Sequence, residues 1–406
     1  LYEGIMKAFF IYFFILTAVV TATDPLRPKF TTAPPKIDGV LDDEIWKTAP
    51  SVTGFKTFIP DFGKDQSEKT VVYMCYDKEN IYFAYKCYDS EPDKIKATMT
   101  NRDNTRPDDW ICLNIDTFND QQSLCAFYVN PFGIQSDSKM VGDSEDTGID
   151  FVWYSAGKID SDGYTIEMQI PLKSLRYANT NPVEMAVFFE RRISRKAEQG
   201  SYPPMDPAQG YAFTTQLKPM FYENVEHYTL FEIMPAVTFS QQSAHENGSM
   251  GIKDIKREFG FNLKYGITSD LILDGTYNPD FSQIESDAGQ VDINLRYGLF
   301  YPEKRPFFLE GRENFVFGGT GQSEADPVVS LVHTRTIVDP LIGLKLTGKL
   351  SSRGTLSALY AMDEKNQSPA DRGKYAHFPI LRFKYALNDD SYIGLQIGRA
   401  SCRERV

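Results

Sequence analysis

The chain has 406 residues, of which 42% are hydrophobic and 24% are charged, and this composition argues against long disordered regions and against a polytopic helical membrane protein. Its formal charge of −12 at pH 7 argues against a general nucleic-acid-binding protein, because such a protein needs a basic surface to neutralise phosphates. The aromatic content of 14% favours β-sheet proteins, sugar-binding surfaces and outer-membrane barrels over helical bundles.

The N-terminal residues have the pattern of an export signal. Met6 and Lys7 precede an apolar stretch at 8–20, and Ala22 supplies a small residue for signal peptidase. The apolar stretch is shorter than the about 20 residues that a membrane-spanning helix needs. We therefore predict a signal peptide at 1–22, with a retained membrane anchor as the alternative.

Residues 30–225 show short strands separated by turn signals. Two hairpins are predicted, at 70–89 and at 110–130, and the alternation of apolar and polar residues at 164–170 predicts a strand with one buried face. Short helices are expected only at 41–49 and 93–99. Many short strands at regular spacing indicate an antiparallel β-sandwich.

Residues 228–396 contain longer alternating strands, of about ten residues, with one aliphatic or aromatic face and one small or charged face. A lipid-facing barrel wall with a polar lumen requires this pattern, and a soluble sandwich with one wet face produces it too. The signal peptide and the strand length favour the barrel. The clearest alternation occurs at 259–267, 271–277, 291–297 and 344–360.

The last ten residues differ from the strands before them. Residues 397–406 (IGRASCRERV) are basic, lack strand alternation and resemble the translated read-through of a sequencing adapter. We expect them to be an artefact, and we expect the barrel to be only partly contained in the chain.

Four cysteines precede this tail, and no CxxC pair occurs among them. Cys112 and Cys125 flank a turn about symmetrically, so they could face each other across the second hairpin. Export makes a disulfide chemically feasible, and unpaired buried thiols are the alternative.

Two sets of motifs resemble known families. Residues 37–46 (IDGVLDDEIW) are similar to the opening of family 9 carbohydrate-binding modules, and shorter motifs at 102–103, 108–110, 115–118 and 130–137 strengthen this resemblance. Residues 278–287 (NPDFSQIESD) and 302–311 (PEKRPFFLEG) resemble an outer-membrane-type family called domain of unknown function 5916.

The resemblance covers about residues 30–395. It implies an all-β chain, in which a jelly-roll-like antiparallel sandwich at 30–225 is followed by part of an antiparallel outer-membrane β-barrel at 228–396. It also implies a Gram-negative source such as Bacteroidetes. The sandwich would then lie in the periplasm or on the cell surface, with outer-membrane lipid around the barrel.

Sugar recognition needs aromatic faces and planar polar groups in a concave site. Trp110 and Trp153 are candidate ligand platforms or core residues, whereas Trp46 is expected in the core. A dense polar cluster enters the strand at Trp110, and it forms either a hydroxyl-binding edge or an ion-pair network that orders the loop. Its members are Arg102, Asp103, Asp108 and Asp109.

Metal and cofactor chemistry has little support. Only four histidines occur and none lies within four residues of another, which excludes a His-rich metal site. No cofactor is predicted. A calcium-binding site is left as an alternative, because oxygen atoms, including those of carboxylates, are the ligands that calcium prefers. The candidate calcium ligands lie in an acidic loop and do not match EF-hand spacing: Asp143, Glu145, Asp146 and Asp150.

The leading hypothesis is an exported, outer-membrane-associated protein that binds poly- or oligosaccharide without catalysis of its own and serves polysaccharide capture or breakdown. One alternative is an outer-membrane transport or surface-assembly protein whose sandwich binds a protein partner. Another is a glycoside hydrolase, for which Asp109 and Glu167 are the candidate carboxylates.

Overall fold

The computed structural model describes residues 24–279 apart from 142, 143, 242, 247, 248, 253 and 254, then 303, 305–309, 311–315, 332, 334–338, 340–351, 353–364, 375–387 and 391–398. The predicted signal peptide, the strand at 291–297 and residues 399–406 lie outside the described residues. Within those residues, no helix is long and apolar enough to cross a membrane.

Fourteen strands in the N-terminal part form two sheets that face each other as a sandwich. The pairing is antiparallel except for β1 with β4. The strands are β1 (Lys29–Phe30), β2 (Ser51–Thr53), β3 (Lys56–Ile59), β4 (Thr70–Tyr76), β5 (Asn80–Tyr88), β6 (Trp110–Asp116), β7 (Ser123–Val129), β8 (Gln135–Val141), β9 (Ser144–Asp146), β10 (Tyr154–Asp160), β11 (Gly163–Pro171), β12 (Val183–Ile193), β13 (Glu198–Tyr202) and β14 (Lys218–Tyr222).

The first sheet has the order β1-β4-β5-β11-β10, with β2 beside β4, and the second has the order β3-β13-β12-β6-β7-β8-β9, with β14 beside β12. Their facing sides bury one continuous apolar core, which includes Phe83 of the first sheet and Leu113, Phe127 and Phe189 of the second. The sandwich and both predicted hairpins, β4–β5 and β6–β7, are confirmed.

The expected helices differ from the structure. Residues 41–49 form consecutive turns, and a 3-10 helix at Pro92–Lys94 is all that forms near 93–99. Further 3-10 helices occur at Leu172–Ser174, Ser194–Lys196 and Phe213–Thr215. The predicted helices at 41–49 and 93–99 are therefore wrong, because the few turn hydrogen bonds in these segments do not continue into a regular α-helical series.

Strand β11 also corrects an expectation, because both of its faces are buried rather than one. The residues facing the core are Tyr164, Ile166, Met168 and Ile170, whereas the opposite face carries Glu167, which is fully buried. The N-terminal segment covers that second face: Trp46 Nε1, Gly39 N and Asp38 N donate hydrogen bonds of 2.7, 2.8 and 3.0 Å to the Glu167 carboxylate.

The four described cysteines, Cys75, Cys87, Cys112 and Cys125, form no disulfide bond. In the β6–β7 ladder Cys125 lies opposite Ile115, and Cys112 lies opposite Tyr128. A disulfide between Cys112 and Cys125 therefore does not form in this structure, because the register separates the two residues along the hairpin.

The C-terminal part forms a third sheet, a seven-stranded antiparallel meander with the order β15-β18-β19-β20-β21-β22-β23. A separate hairpin joins β16 and β17, and a short helix, α1, precedes β20. The elements are β15 (Phe231–Ser240), β16 (Ser243–Glu246), β17 (Ser249–Ile252), β18 (Lys256–Gly266), β19 (Leu271–Tyr277), α1 (Pro306–Leu309), 3-10 helices Arg312–Phe315 and Thr334–Thr336, β20 (Pro340–Lys349), β21 (Gly354–Glu364), β22 (Tyr375–Ala386) and β23 (Tyr392–Gly398).

The two faces of the third sheet have opposite character. The outer face leaves aliphatic and aromatic side chains exposed, among them Phe259, Leu344, Leu381 and Phe383. The inner face buries polar and charged side chains, among them Asp274, Thr347, Ser357 and Arg382. An exposed apolar face with polar residues buried behind it reverses the arrangement of a soluble sandwich.

Helix α1 lies against the inner face. Lys345 donates a hydrogen bond of 2.7 Å to the carbonyl oxygen of Phe307, and its Nζ lies 3.3 Å from Asp274. Next to α1, the buried Arg305 guanidinium pairs with Glu303 at 2.7 Å. Beside these polar contacts, α1 and the following 3-10 helix pack against apolar residues of the same face, in a cluster that includes Phe308, Phe315, Leu359 and Phe378.

Candidate functional site

A polar and aromatic cluster lies on the side of the second sheet that faces away from the main core, and its β6 residues are buried beside Leu124 and Ala126. In β6, Ile111, Leu113 and Ile115 point into the core, so the alternate residues point outward. Register places Tyr128 of β7 and Glu190 of β12 on either side of Cys112. We call this surface the β6 polar face, which consists of Trp110, Cys112, Asn114, Tyr128, Glu190 and Arg192.

Hydrogen bonds connect the side chains of this face with those of the neighbouring strands. Asn114 Nδ2 donates to Glu190 Oε1 at 2.5 Å. Beside them, Ser138 Oγ donates to Glu145 Oε1 at 2.7 Å, and the Tyr128 hydroxyl donates to the same oxygen at 3.5 Å. Amide, carboxylate and phenol groups thus lie together on one surface.

The Glu190 carboxyl has a raised pKa. Its residue is 5% exposed, and burial raises its pKa to about 7, although the hydrogen bond from Asn114 acts in the opposite direction. Burial also raises the pKa of the Tyr128 phenol and of the Cys112 thiol well above their usual values. Near neutral pH the phenol and the thiol therefore stay protonated, whereas Glu190 titrates.

Aromatic rings border the β6 polar face. The Trp110 and Tyr128 rings meet edge to face, with centroids 5.3 Å apart. A loop at 203–217 packs Phe213 beside Phe188, with centroids 5.8 Å apart, and leaves Tyr211 57% exposed. The face is therefore bounded by rings that could contact an apolar ligand surface.

Two of the predicted site residues, Asp108 and Asp109, order the loops at the start of β6. Asp108 Oδ2 accepts hydrogen bonds from Thr98 N and Asn130 Nδ2 at 2.8 and 3.0 Å, and Asp109 Oδ1 accepts one from Ser194 N at 2.7 Å. Burial raises the pKa of the Asp109 carboxyl. These carboxylates therefore hold neighbouring loops through hydrogen bonds from backbone and amide groups rather than through ion pairs.

Arg102 and Asp103 lie in a different place, beside the start of β8. Arg102 Nε donates to Asp137 Oδ1 at 3.1 Å, and its Nη1 donates to Gln135 Oε1 at 3.1 Å. Asp103 is exposed and has a left-handed backbone with φ of 67°. The predicted cluster is therefore divided: Arg102 and Asp103 contact β8, whereas Asp108 and Asp109 brace the loops before β6.

The two candidate tryptophans are also separated. Trp110 lies on the β6 polar face, where it is 8% exposed, whereas Trp153 is 3% exposed and its ring meets Phe127 at 5.1 Å within the main core. Stacking of a sugar on the Trp153 face would require the core to open. Trp46 is buried, as expected.

Sequence reasoning did not find Asn114, Tyr128 and Glu190. A signal was present, because Asn114 and Glu190 are polar residues inside apolar strand sequences, WICLNID and VEMAVFFERRI. Period-2 alternation also places Trp110, Cys112 and Asn114 on one face. What could not be predicted is the pairing of β6 with β12, which are far apart in the chain.

The carboxylates proposed for a hydrolase are not brought together. Asp109 belongs to the second sheet and anchors Ser194, whereas Glu167 belongs to the first sheet and accepts the three hydrogen bonds from the N-terminal segment. Among the described residues, no group of three or more His, Cys, Asp or Glu side chains could hold a metal ion. Asp143, one of the candidate calcium ligands, lies outside those residues.

Residues 37–201 match the model of the carbohydrate family 9 binding domain-like family, and residues 231–320 match the model of a domain of unknown function, DUF5916. A solved carbohydrate binding module family 9 from Caldicellulosiruptor kristjanssonii in complex with cellotriose is 17% identical, with 50% of this chain and 95% of that chain covered and a TM-score of 0.36. The module in complex with glucose is 15% identical, with 50% and 98% covered and a TM-score of 0.37. The comparison with curated proteins gives no match. The chain thus contains a region similar to the carbohydrate family 9 binding domain-like family, followed by a region similar to DUF5916.

Proposed function

We propose that the chain binds an oligo- or polysaccharide on the β6 polar face and has no catalytic activity of its own. The observation that carries the proposal is that this face, with Trp110, Tyr128, Asn114 and Glu190 together, lies within the region matched by a carbohydrate-binding family model. Amide and carboxyl groups can each make two hydrogen bonds to vicinal hydroxyls, and aromatic rings contact the apolar side of a pyranose.

We further propose that the protein is exported and attached to the outer membrane of a Gram-negative bacterium. The outer face of the third sheet supports this location, because its side chains are apolar while charged residues lie behind them. A membrane-spanning sheet needs an apolar surface toward lipid and can keep polar residues on its other side. The sandwich would then present a saccharide site next to the membrane.

The test is saccharide binding by the full chain in a zwitterionic detergent, because detergents with sugar headgroups would compete. A glycan array would identify a ligand, and calorimetry would measure its affinity. We expect Trp110→Ala and Tyr128→Phe to weaken binding by about tenfold each, the order expected for the loss of one favourable contact. Phe30→Ala, which removes an exposed aromatic ring at the edge of the first sheet, is the matched control.

Thermal unfolding of each variant separates loss of binding from loss of folding. Binding that is unchanged in folded Trp110→Ala and Tyr128→Phe chains would contradict the placement of the site. Failure of the wild-type chain to bind any saccharide on the array would contradict the function itself.

A glycoside hydrolase is the second candidate, and one observation favours it. Glu190, with a pKa of about 7, shares its surface with Glu145, and a raised carboxyl pKa is a property of the general acid in such enzymes. Hydrolysis of the bound saccharide that is abolished by Glu190→Gln and by Glu145→Gln would support this candidate. Intact saccharide after prolonged incubation with the wild-type chain would dismiss it.

A further inference from the structure

A second concave site lies at the edge of the sandwich where β10 of the first sheet comes close to the start of β8 of the second sheet. A cleft of about 500 Å³ opens between the N-terminal segment, the start of β8 and the paired strands β10 and β11. This volume is in the range of small-ligand sites. We call it the arm cleft, and it is lined by Pro35, Ile37, Gln135, Trp153, Tyr154, Ser155 and Gln169.

The two amide side chains of the arm cleft are held in place. Gln135 Oε1 accepts a hydrogen bond from Arg102, and its Nε2 donates to the Trp153 carbonyl oxygen at 3.2 Å. Gln169 Nε2 donates to Asn80 Oδ1 at 3.0 Å. Each amide nitrogen carries two hydrogens, and these contacts use one of them. The amides are therefore fixed in orientation and retain hydrogen-bonding capacity.

Trp153 supplies an independent observation. Its Nε1 is buried and has no hydrogen-bond partner in the part of the chain that the structure describes. A buried N–H group without a partner is costly, so an unpaired donor beside a cleft indicates a missing acceptor. The Nε1 atom is not exposed to solvent, so a ligand hydroxyl in the arm cleft would satisfy it only after a local shift of the cleft wall.

Among the residues that the structure describes, no charged side chain lines the arm cleft, although 24% of the residues of the whole chain are charged. Tyr154 is 53% exposed and lies opposite Gln169 in the β10–β11 ladder, so an aromatic ring stands beside an amide at the cleft. An ionic ligand would need a counter-charge here, whereas a polyhydroxylated neutral ligand needs amide, hydroxyl and aromatic groups.

We propose that the arm cleft is a second ligand site, separate from the β6 polar face, and that it takes a short neutral oligosaccharide. Arg102 acts there as a positioning residue, since it holds Gln135 rather than the ligand. The proposal does not depend on saccharide binding at the β6 polar face.

The test uses the full chain, labelled with ¹⁵N, in a zwitterionic detergent. Three tryptophans give three indole N–H resonances, and Trp153→Phe assigns the relevant one. The probes are cellotriose, xylotriose and mannotriose, with a trimer of galacturonic acid as the charged counterpart. We expect a neutral trisaccharide to move the Trp153 resonance in both the wild-type and Trp110→Ala chains.

In the same titration Gln169→Ala should weaken binding at this site by about tenfold, as expected for the loss of one ligand contact. Gln122→Ala, which removes an amide from the β6–β7 turn, should leave it unchanged. A folded Gln169→Ala chain that binds as the wild type does would overturn the proposal, as would failure of all three neutral probes to move the resonance. Stronger binding of the galacturonic acid trimer would overturn the ligand class.

The outcomes also separate this site from the β6 polar face. Loss of every binding signal in Trp110→Ala, including the Trp153 shift, overturns the arm cleft and leaves the β6 polar face supported. If Gln169→Ala abolishes every binding signal and Trp110→Ala abolishes no binding signal, the result supports the arm cleft and contradicts the β6 polar face.

Discussion

At the residue scale, two buried glutamates show how different surroundings give one side chain different roles. Glu167 accepts three hydrogen bonds from Trp46, Gly39 and Asp38, and it fixes the N-terminal segment to the first sheet. Glu190 accepts one from Asn114 and lies on the β6 polar face. Burial raises the pKa of both carboxyls, and for Glu190 it reaches about 7.

This pKa predicts a pH-dependent stability. The folded chain holds the Glu190 proton more tightly than the unfolded chain, whose carboxyl titrates near 4.5. The contribution of Glu190 to stability is therefore fully present below pH 4.5 and is lost as the pH rises to about 7. We expect Glu190→Gln, which stays neutral, to be more stable than the wild type at pH 8, by at most about 3 kcal/mol, and to differ little at pH 4.

Thermal or urea unfolding between pH 4 and 8 measures this effect. Glu184→Gln on the same strand is the control, because Glu184 is exposed and its replacement should leave the pH profile unchanged. If Glu190→Gln and the wild type have identical profiles of stability against pH, the raised pKa of Glu190 is not the source of the pH dependence.

At the scale of elements, the contact between β10 and the turn before β8 joins the edges of the two sheets. Gly157 of β10 approaches this turn so closely that a Cβ atom would lie 2.6 Å from the carbonyl oxygen of Pro131 and 2.7 Å from the amide nitrogen of Gly133. Ser155 Oγ donates to the Gly133 carbonyl oxygen at 2.9 Å. The contact forms one side of the sandwich and supports the arm cleft next to it.

We therefore expect Gly157→Ala to destabilise the chain by about 1–3 kcal/mol, because its methyl group would meet backbone atoms that cannot move away independently. Denaturant unfolding of the full chain would measure the loss. Lys158→Ala, at the exposed neighbouring position, should change stability by less than about 0.5 kcal/mol. Equal stability of the two variants would show that the turn before β8 can move to accommodate the added methyl group at a low energetic cost.

At the scale of the whole molecule, the two parts of the chain differ in what their sheets expose and bury. The sandwich encloses a large apolar core, whereas the third sheet exposes an apolar face and buries polar side chains beside a smaller apolar cluster. Water disfavours the second arrangement, since exposed apolar surface lowers stability in proportion to its area. A lipid environment removes this penalty, and this is the physical basis of the proposed outer-membrane location.

The location predicts the effect of a charge on the outer face. Leu344 is 46% exposed there, and Leu344→Arg should disfavour insertion by about 2–4 kcal/mol if the position lies at the bilayer centre. Flotation of refolded chain with liposomes measures insertion, and Leu344→Phe is the apolar control. Equal flotation of the Arg and Phe variants, or wild-type chain that stays in the aqueous fraction, would contradict the location.

The sequence by itself determined the strands and the hairpins, because period-2 alternation and turn residues are local properties. It also indicated the two families through motifs at 37–46, 278–287 and 302–311, and it showed that the later strands have one apolar and one polar face. Only the tertiary structure decided what covers each face. Alternation at 164–170 shows which side chains share a side of β11, but not that Trp46 lies over the polar side. Likewise, Asn114 and Glu190 meet only because β6 pairs with β12, and such long-range pairing depends on the packing of the whole sandwich rather than on neighbouring residues.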